Sequence, residues 1–253
     1  TDSHNTAVGF SAGKEVTTAT LSTLIGSLAG DAITTGSYNT AVGYSAAGAM
    51  TTGLENTLTG ALAGAAFTDA DYNVAMGVQA LAADTKGNKS VAIGAQALFD
   101  QNFTTSTDAL NVAVGYQAGT NVTTAIKNTH IGAFAGDSTT IGNYNTFLGY
   151  NAGDTNADGN QNTIVGGLAN TAATDGDFAN GLGYSLNCVA GYTTLGKVND
   201  DIRAAHGNVT WATVSDERFK KDIVDSTAGL SFINALKPRT FKYKNLGELP
   251  ETF

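Results

Sequence analysis

The stretch Asn5-Thr6-Ala7-Val8-Gly9-Phe10-Ser11-Ala12-Gly13 returns at residues 39–47 as Asn-Thr-Ala-Val-Gly-Tyr-Ser-Ala-Ala. Related stretches continue down the chain, each centred on an anchor glycine. The spacing between anchors is 17 residues five times, then 21 once, 17 four times and 13 at the end. The anchors are Gly9, Gly26, Gly43, Gly60, Gly77, Gly94, Gly115, Gly132, Gly149, Gly166, Gly183 and Gly196. A fixed period of this kind indicates a repeat architecture.

Four positions of the unit are close to constant relative to the anchor glycine. Asparagine usually precedes the anchor by four residues and an aliphatic residue by one, whereas alanine follows by three and threonine usually by eight. The unit is too short for a helix pair or a propeller blade, and its apolar residues alternate as in a strand. We therefore predict an all-β fold, a parallel β-solenoid (β-roll) of about twelve 17-residue units over residues 1–196.

The residue types of the unit suggest how one turn is built. Asparagine favours tight corners, because it bonds its own backbone and tolerates a left-handed conformation. A constant inward alanine predicts that the walls of the roll lie close together. Because a thin roll buries little apolar area, we expect several chains to pack side by side. The residues expected to supply that contact are Phe10, Tyr44, Tyr116, Phe134, Phe147 and Tyr150.

Composition excludes several classes of protein and site. The formal net charge of −9 argues against a nucleic-acid partner, which would need a basic face. One cysteine and three histidines far apart in sequence predict no disulfide framework, no metal site and no cofactor. The sequence contains no apolar run of about 18 residues, so we expect no membrane insertion. The first residues have no signal-peptide pattern, and we expect a fragment of a longer chain.

Charge is distributed unevenly and marks a change of module. Residues 1–196 contain four lysines, no arginine and 14 acids, whereas residues 197–253 contain nine basic residues and eight acids. The later segment also holds the only tryptophan and both prolines. We predict a β-roll domain at 1–196, a connector at 197–214 and a separate domain that begins at 215 and runs to 253.

The second module contains the one candidate for chemistry. Its central stretch is Val214-Ser215-Asp216-Glu217-Arg218-Phe219-Lys220. Ser215 fits a helix N-cap, with acids in the first turn favoured by the helix dipole. It also fits a Ser/Lys pair, in which a neutral lysine takes the proton of a serine that attacks a carbonyl. Spacing alone leaves both interpretations open.

The repeat resembles the head repeat of trimeric autotransporter adhesins of the YadA type. That family forms a left-handed parallel β-roll from three chains, and related repeats occur in phage fibres. The resemblance covers about residues 1–196 and implies a homotrimer.

The later motif resembles the start of the S74 peptidase family. The matching pattern is Ser215-Asp216-x-Arg218-x-Lys220-x-x-Ile223, followed by Leu236-Lys237-Pro238-x-x-Phe241-x-Tyr243. Members are C-terminal intramolecular chaperones of endosialidases and other phage tail spikes and fibres, which trimerise and then cut themselves off.

Carried over by position, the resemblance implies Ser215 as nucleophile and Lys220 as general base, supported by Asp216 and Arg218. The scissile bond would be Val214–Ser215, and the segment 215–253 would be the N-terminal, small α+β part of the chaperone. The enzymatic activity implied is at most a single self-cleavage.

The single four-residue insertion in the repeat is the candidate receptor contact. We place it near residues 98–106 and expect an exposed loop, with Phe99, Asn102 and Phe103 as contact residues. Loops on a rigid scaffold commonly carry binding residues.

Three functional classes follow from these observations. The first is a trimeric virion or tail fibre at the virion surface or in the extracellular space, which binds a host glycan or protein and joins other virion proteins at its N-terminal end. The second is the head of a bacterial surface adhesin. The third is an ice- or carbohydrate-binding solenoid, suggested by the row of threonines, although threonine rows also stabilise sheets.

Overall fold

The structure, a computed structural model, describes residues 3–198, 200–208 and 212–213. Strands and turns account for these ranges, and they contain no helix that is long and apolar enough to cross a membrane. The strands of the first half are β1 Thr6–Val8, β2 Thr23–Ile25, β3 Thr40–Val42, β4 Thr57–Thr59, β5 Val74–Met76, β6 Gly87–Asn88, β7 Val91–Ile93, β8 Thr107–Asp108 and β9 Val112–Val114. Those of the second half are β10 Thr129–Ile131, β11 Thr146–Leu148, β12 Thr163–Val165, β13 Asn170–Thr171, β14 Asn180–Tyr184, β15 Asn187–Cys188, β16 Tyr192–Lys197, β17 Asp200–Ala205 and β18 Ala212–Thr213.

The main sheet is a parallel ladder with one short strand from each turn of the chain. Thr6 pairs with Thr23 and Thr23 with Thr40, so the register advances by one 17-residue unit at each step. The order is β1-β2-β3-β4-β5-β7-β9-β10-β11-β12-β14-β16, and β17 and β18 follow at the end. The predicted parallel β-solenoid is therefore confirmed, with about eleven turns between its first and last parallel strands.

Each turn closes through left-handed corners, but not at the residue that we expected. The left-handed residue is the one before the repeated asparagine, as at Tyr38 (φ 62°) and Tyr144 (φ 59°). A second lies two residues after the anchor, as at Leu28 (φ 59°). The anchor glycines themselves have φ near +140°, for example 139° at Gly43, and a Cβ there would lie 2.5 Å from the carbonyl oxygen of Gly60. Glycine is required because the backbones of adjacent turns touch.

The repeated asparagines tie successive parts of the solenoid together. Asn39 donates from Nδ2 to the carbonyl of Gly53 at 2.7 Å, and its Oδ1 accepts the backbone N–H of Asn56 at 3.0 Å. Nδ2 of Asn39 also donates to the carbonyl of Ser37, two residues earlier, at the longer distance of 3.3 Å. Because this pattern recurs from turn to turn, the asparagines form a buried ladder whose hydrogen bonds substitute for water.

The core is narrow and consists mainly of alanine and leucine. The alanine three residues after the anchor is fully buried in nearly every turn, as at Ala46 and Ala118. The middle residue of each ladder strand also faces inward. The buried apolar residues form two clusters, one ending at Ala125 and the next beginning at Ala135. Between them lies the fully buried side chain of His130.

Strand alternation also corrects one expected contact between chains. Phe147 is the middle residue of β11 and is fully buried, so it belongs to the core of its own chain. It stacks on His130 with a centroid separation of 5.2 Å. Among the other predicted contact residues, Phe10, Tyr44, Tyr116 and Tyr150 are exposed.

The ladder changes direction at its C-terminal end. β16 pairs in parallel with β14 on one side and antiparallel with β17 on the other, where Leu195 lies opposite Ile202. The sheet thus continues past Gly196 into the segment that we predicted as a connector. The chain divides into two units at Val214–Ser215. The three domain boundaries stay predictions.

Candidate functional site

The predicted self-cleavage site lies outside the described residues. Val214, Ser215, Asp216, Arg218 and Lys220 all follow Thr213, the last residue that the structure describes. Their predicted roles therefore stay predictions.

The structure narrows the position of the four additional residues, which are not contiguous. The hydroxyl of Thr85 donates to Asn102 Oδ1 at 3.1 Å, so these residues are still one ordinary 17-residue period apart. The pair β6–β8 aligns Gly87 with Thr107, a separation of 20 residues, whereas β7–β9 aligns Val91 with Val112, a separation of 21. Three additional residues therefore lie between Asn102 and Thr107, and the fourth lies between Asp108 and Val112.

Only part of the predicted receptor contact is accessible. Asn102 is exposed and Phe99 is half-buried. Phe103 is only 7% exposed, so the expectation that its side chain faces solvent is wrong. Its ring packs beside Gly87, where an added Cβ would lie 2.9 Å from it. The three residues after Phe103 are exposed and form the outer part of the insertion.

A buried carboxylate holds the insertion in place. Asp84 is fully buried, and its Oδ1 accepts the N–H groups of Gly87 at 3.0 Å and Phe103 at 3.1 Å. Gln101 donates to Asp84 Oδ2 at 2.6 Å and accepts from Asn111 at 2.8 Å. Burial raises the pKa of Asp84, although the hydrogen bonds from Gln101, Phe103 and Gly87 oppose that shift.

Sequence analysis did not identify this network, although a signal was present. Asp84 and Gln101 stand seven residues after their anchors, at a position that holds Val16, Ile33 and Phe67 in other turns. Two successive polar residues at a position that is apolar in most other turns indicate a local specialisation of the core. Their partners could not be identified without the backbone of the insertion.

An exposed apolar stripe runs along the roll next to the anchor glycines. Its members stand immediately before or after an anchor, and the constant register stacks them from turn to turn. Their exposed fractions run from 36% at Ile131 to 77% at Phe10. The apolar stripe comprises Val8, Phe10, Ile25, Tyr44, Met76, Val78, Ile93, Tyr116, Ile131, Leu148, Tyr150, Leu182 and Tyr184. The stripe is interrupted at Gly60 and Gly166, but it extends over most turns, and an exposed apolar surface of this extent is typical of an interaction site.

The row of threonines that suggested an ice-binding surface has a structural use. The hydroxyl of Thr34 donates to the carbonyl of Thr51 at 3.1 Å, and that of Thr51 donates to the carbonyl of Thr68 at 3.0 Å. The same bond links Thr123 to the next turn. These hydroxyls stabilise the stacking of turns.

Residues 215–252 match the family described as chaperone of endosialidase, peptidase S74. The match begins at Ser215, the residue at which sequence analysis placed the start of this family. No curated protein and no solved structure matches the chain. The protein therefore combines a β-solenoid of 17-residue turns with a segment, residues 215–252, that matches the chaperone of endosialidase family.

Proposed function

We propose that this protein is a trimeric virion or tail fibre that attaches to a host surface and is folded by a C-terminal chaperone that releases itself. One observation carries the proposal, namely that a β-solenoid is followed in the same chain by a segment matching the chaperone of endosialidase family. A repetitive roll has many closely similar registers, so a separate folding aid is useful to it. Its location would be the virion surface, with other virion proteins at its N-terminal end.

The apolar stripe supports assembly from identical chains. One chain exposes aliphatic and aromatic side chains along successive turns, whereas soluble monomers seldom expose large continuous apolar patches. A second and a third copy of the same chain have the same 17-residue period, so their stripes match this one turn by turn. We assign the stripe to the trimer interface.

Sedimentation equilibrium tests this assignment. The wild-type roll is expected to be trimeric, and the double substitution Tyr116→Ser with Tyr150→Ser is expected to weaken association at least tenfold. Ile141→Ser is the matched control, because Ile141 is similarly exposed (51%) but lies away from the anchor glycine. A monomeric wild type, or a trimer that the double variant leaves unchanged, would contradict the assignment. Circular dichroism verifies that each variant keeps its β-structure.

Release follows from a Ser/Lys pair at the family motif. Ser215 Oγ attacks the carbonyl carbon of Val214 while Lys220 takes the hydroxyl proton. The peptide C–N bond breaks and the proton goes to the departing amine, leaving Val214 esterified to Ser215. Water then hydrolyses the ester, giving a new carboxyl group on Val214 and restoring the hydroxyl.

Intact mass measurement tests release in the protein expressed with its natural downstream sequence. The wild type is expected to yield a fragment ending at Val214, whereas Ser215→Ala and Lys220→Ala stay uncleaved. Ser226→Ala and Lys221→Ala are matched controls that should cleave normally. An uncleaved wild type would leave Ser215 as a helix cap and shift the interpretation to a surface adhesin or a stand-alone solenoid.

Attachment at the insertion is the remaining part of the proposal. Asn102 and Phe99, together with exposed residues 104–106, form its accessible surface. Removing residues 104–106 is expected to lower adsorption to the host at least tenfold while leaving cleavage and trimer formation intact. Unchanged adsorption would remove the insertion from the attachment surface.

A further inference from the structure

A groove of about 460 Å³ lies near the C-terminal end of the roll. Its volume is within the range of small-molecule sites. Its lining comes from three successive turns and consists of Thr155, Leu168, Asn170, Thr171, Ala172, Ala173, Thr174, Ser185, Leu186 and Asn187. None of these lining residues carries a formal charge.

The groove arises because the last turn is short. Asn180 pairs with Thr193, so the final step of the ladder has 13 residues in place of 17. In a complete turn, the backbone eight residues after the anchor bonds the next turn, as Ala157 N does with Thr174 O at 2.8 Å. In the described part of the chain, the N–H of Thr174 has no such bond to the following turn. The missing residues leave a step at the edge of the preceding turn.

Two asparagines replace the usual small or aliphatic residue at the groove. The position four residues after the anchor holds Gly119, Gly136 and Gly153 in the preceding turns, but Asn170 and Asn187 here. These asparagines lie in register on β13 and β15, one turn apart. The sequence therefore departs from its own repeat at the place where the groove forms.

Several polar side chains of the groove have no partner within the protein. Thr155 and Thr171 donate their hydroxyls to backbone carbonyls at 2.7 and 2.8 Å. Among the described residues, in contrast, no hydrogen bond is made by the side chains of Asn170, Asn187 and Ser185, and Oδ1 of Asn170 is buried without a partner. Since buried polar atoms normally have partners, Oδ1 of Asn170 is suited to a donor group of a ligand. The exposed Asn187 amide and the half-buried Ser185 hydroxyl beside it can donate to and accept from the same ligand.

We propose that this groove binds a neutral saccharide of one or two sugar units. Paired ring hydroxyls donate and accept in the same way as the Asn170 and Asn187 amides, and the C–H face of a sugar packs against Leu168 and the neighbouring alanines. No lining residue carries a formal charge. The guanidinium of Arg203, which bonds the carbonyl of Asn187 at 3.2 Å, is already paired with Asp201 at 2.9 Å, so the groove favours a neutral ligand. This proposal specifies the chemical class of the host ligand, and it therefore rests on the proposed attachment function. Asn102 at the insertion is less suited to this role, because its Oδ1 already accepts from Thr85.

The test is direct binding by the purified protein, independent of host adsorption. The probes are glucose, galactose, N-acetylglucosamine, N-acetylgalactosamine, lactose and chitobiose. Saturation-transfer NMR measures the binding of each probe at probe concentrations up to about 10 mM. At least one neutral probe is expected to bind, and glucuronic acid is expected to bind at least tenfold more weakly than glucose.

The variants distinguish the groove from other surfaces. Asn187→Ala, at an exposed position that does not support the fold, is expected to weaken binding at least fivefold, and its combination with Ser185→Ala should abolish it. Asn102→Ala is the matched control and should leave binding unchanged.

Absence of binding by every probe, binding unaffected by Asn187→Ala, or capture of a peptide in place of a sugar would each overturn this site. The cleavage and trimer measurements test the fibre function separately, so a failure of the saccharide site can be distinguished from a failure of the fibre function.

Discussion

Two pairs of buried polar residues occupy the same position of the turn but differ in their partners. Asp84 and Gln101, and later Thr139 and Asn156, all stand seven residues after an anchor glycine and are fully buried. Every polar atom of the Asp84 carboxylate and the Gln101 amide has a hydrogen bond. By contrast, Thr139 Oγ1 and both amide atoms of Asn156 have no partner among the described residues.

His130 belongs with the second pair. Both of its ring nitrogens are buried without a partner, and it separates the two apolar clusters. The comparison shows that polar residues at this position of the turn are tolerated at low cost where neighbouring groups supply hydrogen-bond partners. At Asp84 one such group is the N–H of Phe103 in the insertion. The two polar layers should therefore respond to substitution in opposite directions.

The largest effect is expected from pH at His130. Burial lowers its pKa from 6.5 to about 3, so the unfolded chain binds a proton between these values while the folded chain does not. Stability is thus full above pH 6.5 and falls as the pH drops towards 3, by about 5 kcal/mol at 1.36 kcal/mol per pH unit. Urea unfolding of wild type and His130→Leu from pH 8 to pH 3 measures this loss as their difference.

The difference in stability between wild type and His130→Leu is needed because other groups also titrate. Burial, together with a hydrogen bond and charge repulsion from Asp154, raises the pKa of Asp137 to about 7, which adds stability as the pH falls through that value. Phe147, Gly119 and Gly136, which adjoin His130, carry no titratable group. A difference between wild type and His130→Leu that does not change with pH would assign the acid sensitivity elsewhere.

Loss of the carboxylate at Asp84 should have the next largest effect. Asp84→Ala leaves the N–H groups of Gly87 and Phe103 without an acceptor and the amide of Gln101 with only its 3.3 Å bond to Ser90, and we expect a loss of about 3–5 kcal/mol. Thermal and urea unfolding followed by circular dichroism measure it. Asp100→Ala, at an exposed acid in the next turn, is the control and should change stability by less than about 0.5 kcal/mol. A similar small change in Asp84→Ala would show that the insertion is held by other contacts.

Replacing the buried amides of Gln101 and Asn156 each by leucine tests the difference between the two polar pairs. Gln101→Leu removes partners from Asp84 and Asn111 and should cost about 1–3 kcal/mol, whereas Asn156→Leu removes two unpartnered atoms and should add about 1–2 kcal/mol. Equilibrium unfolding at neutral pH compares the two variants. Changes of the same sign would mean that side-chain volume, and not hydrogen bonding, governs this position.

The smallest effect concerns a single hydroxyl. Thr139→Val should stabilise the roll by about 1 kcal/mol, because the buried Oγ1 has no partner, and the reverse substitution Val122→Thr should destabilise it by about the same amount. Both midpoints can be obtained from urea titrations. Two shifts in the same direction would contradict this account.

Much of the fold was predictable because the repeat itself encodes the register. Once Asn5 and Asn39 are aligned, the 17-residue period fixes which residues stack. The left-handed corners were not predictable, because the residue before the asparagine varies among tyrosine, glutamate and lysine, as Tyr38, Glu55 and Lys127 illustrate. Backbone contact between turns imposes that conformation.

The candidate sites were less accessible to sequence reasoning. By residue type Phe147 does not differ from the exposed aromatic residues, and only its position in the middle of a strand places its side chain in the core. Phe103 was expected to face solvent, but the insertion folds its ring back over Gly87. The groove depends on which residues a shortened turn leaves uncovered, which the spacing of 13 shows only once the turns are stacked.

Because the register is constant, the length of the roll can change by whole 17-residue units through changes in its gene. An in-frame duplication of one 17-residue unit would add one strand to the ladder without moving any other residue out of register. At about 4.8 Å per strand, each duplication would extend the reach of the roll by that increment. Length can therefore change between generations while the insertion, the groove and the downstream segment keep their own sequences.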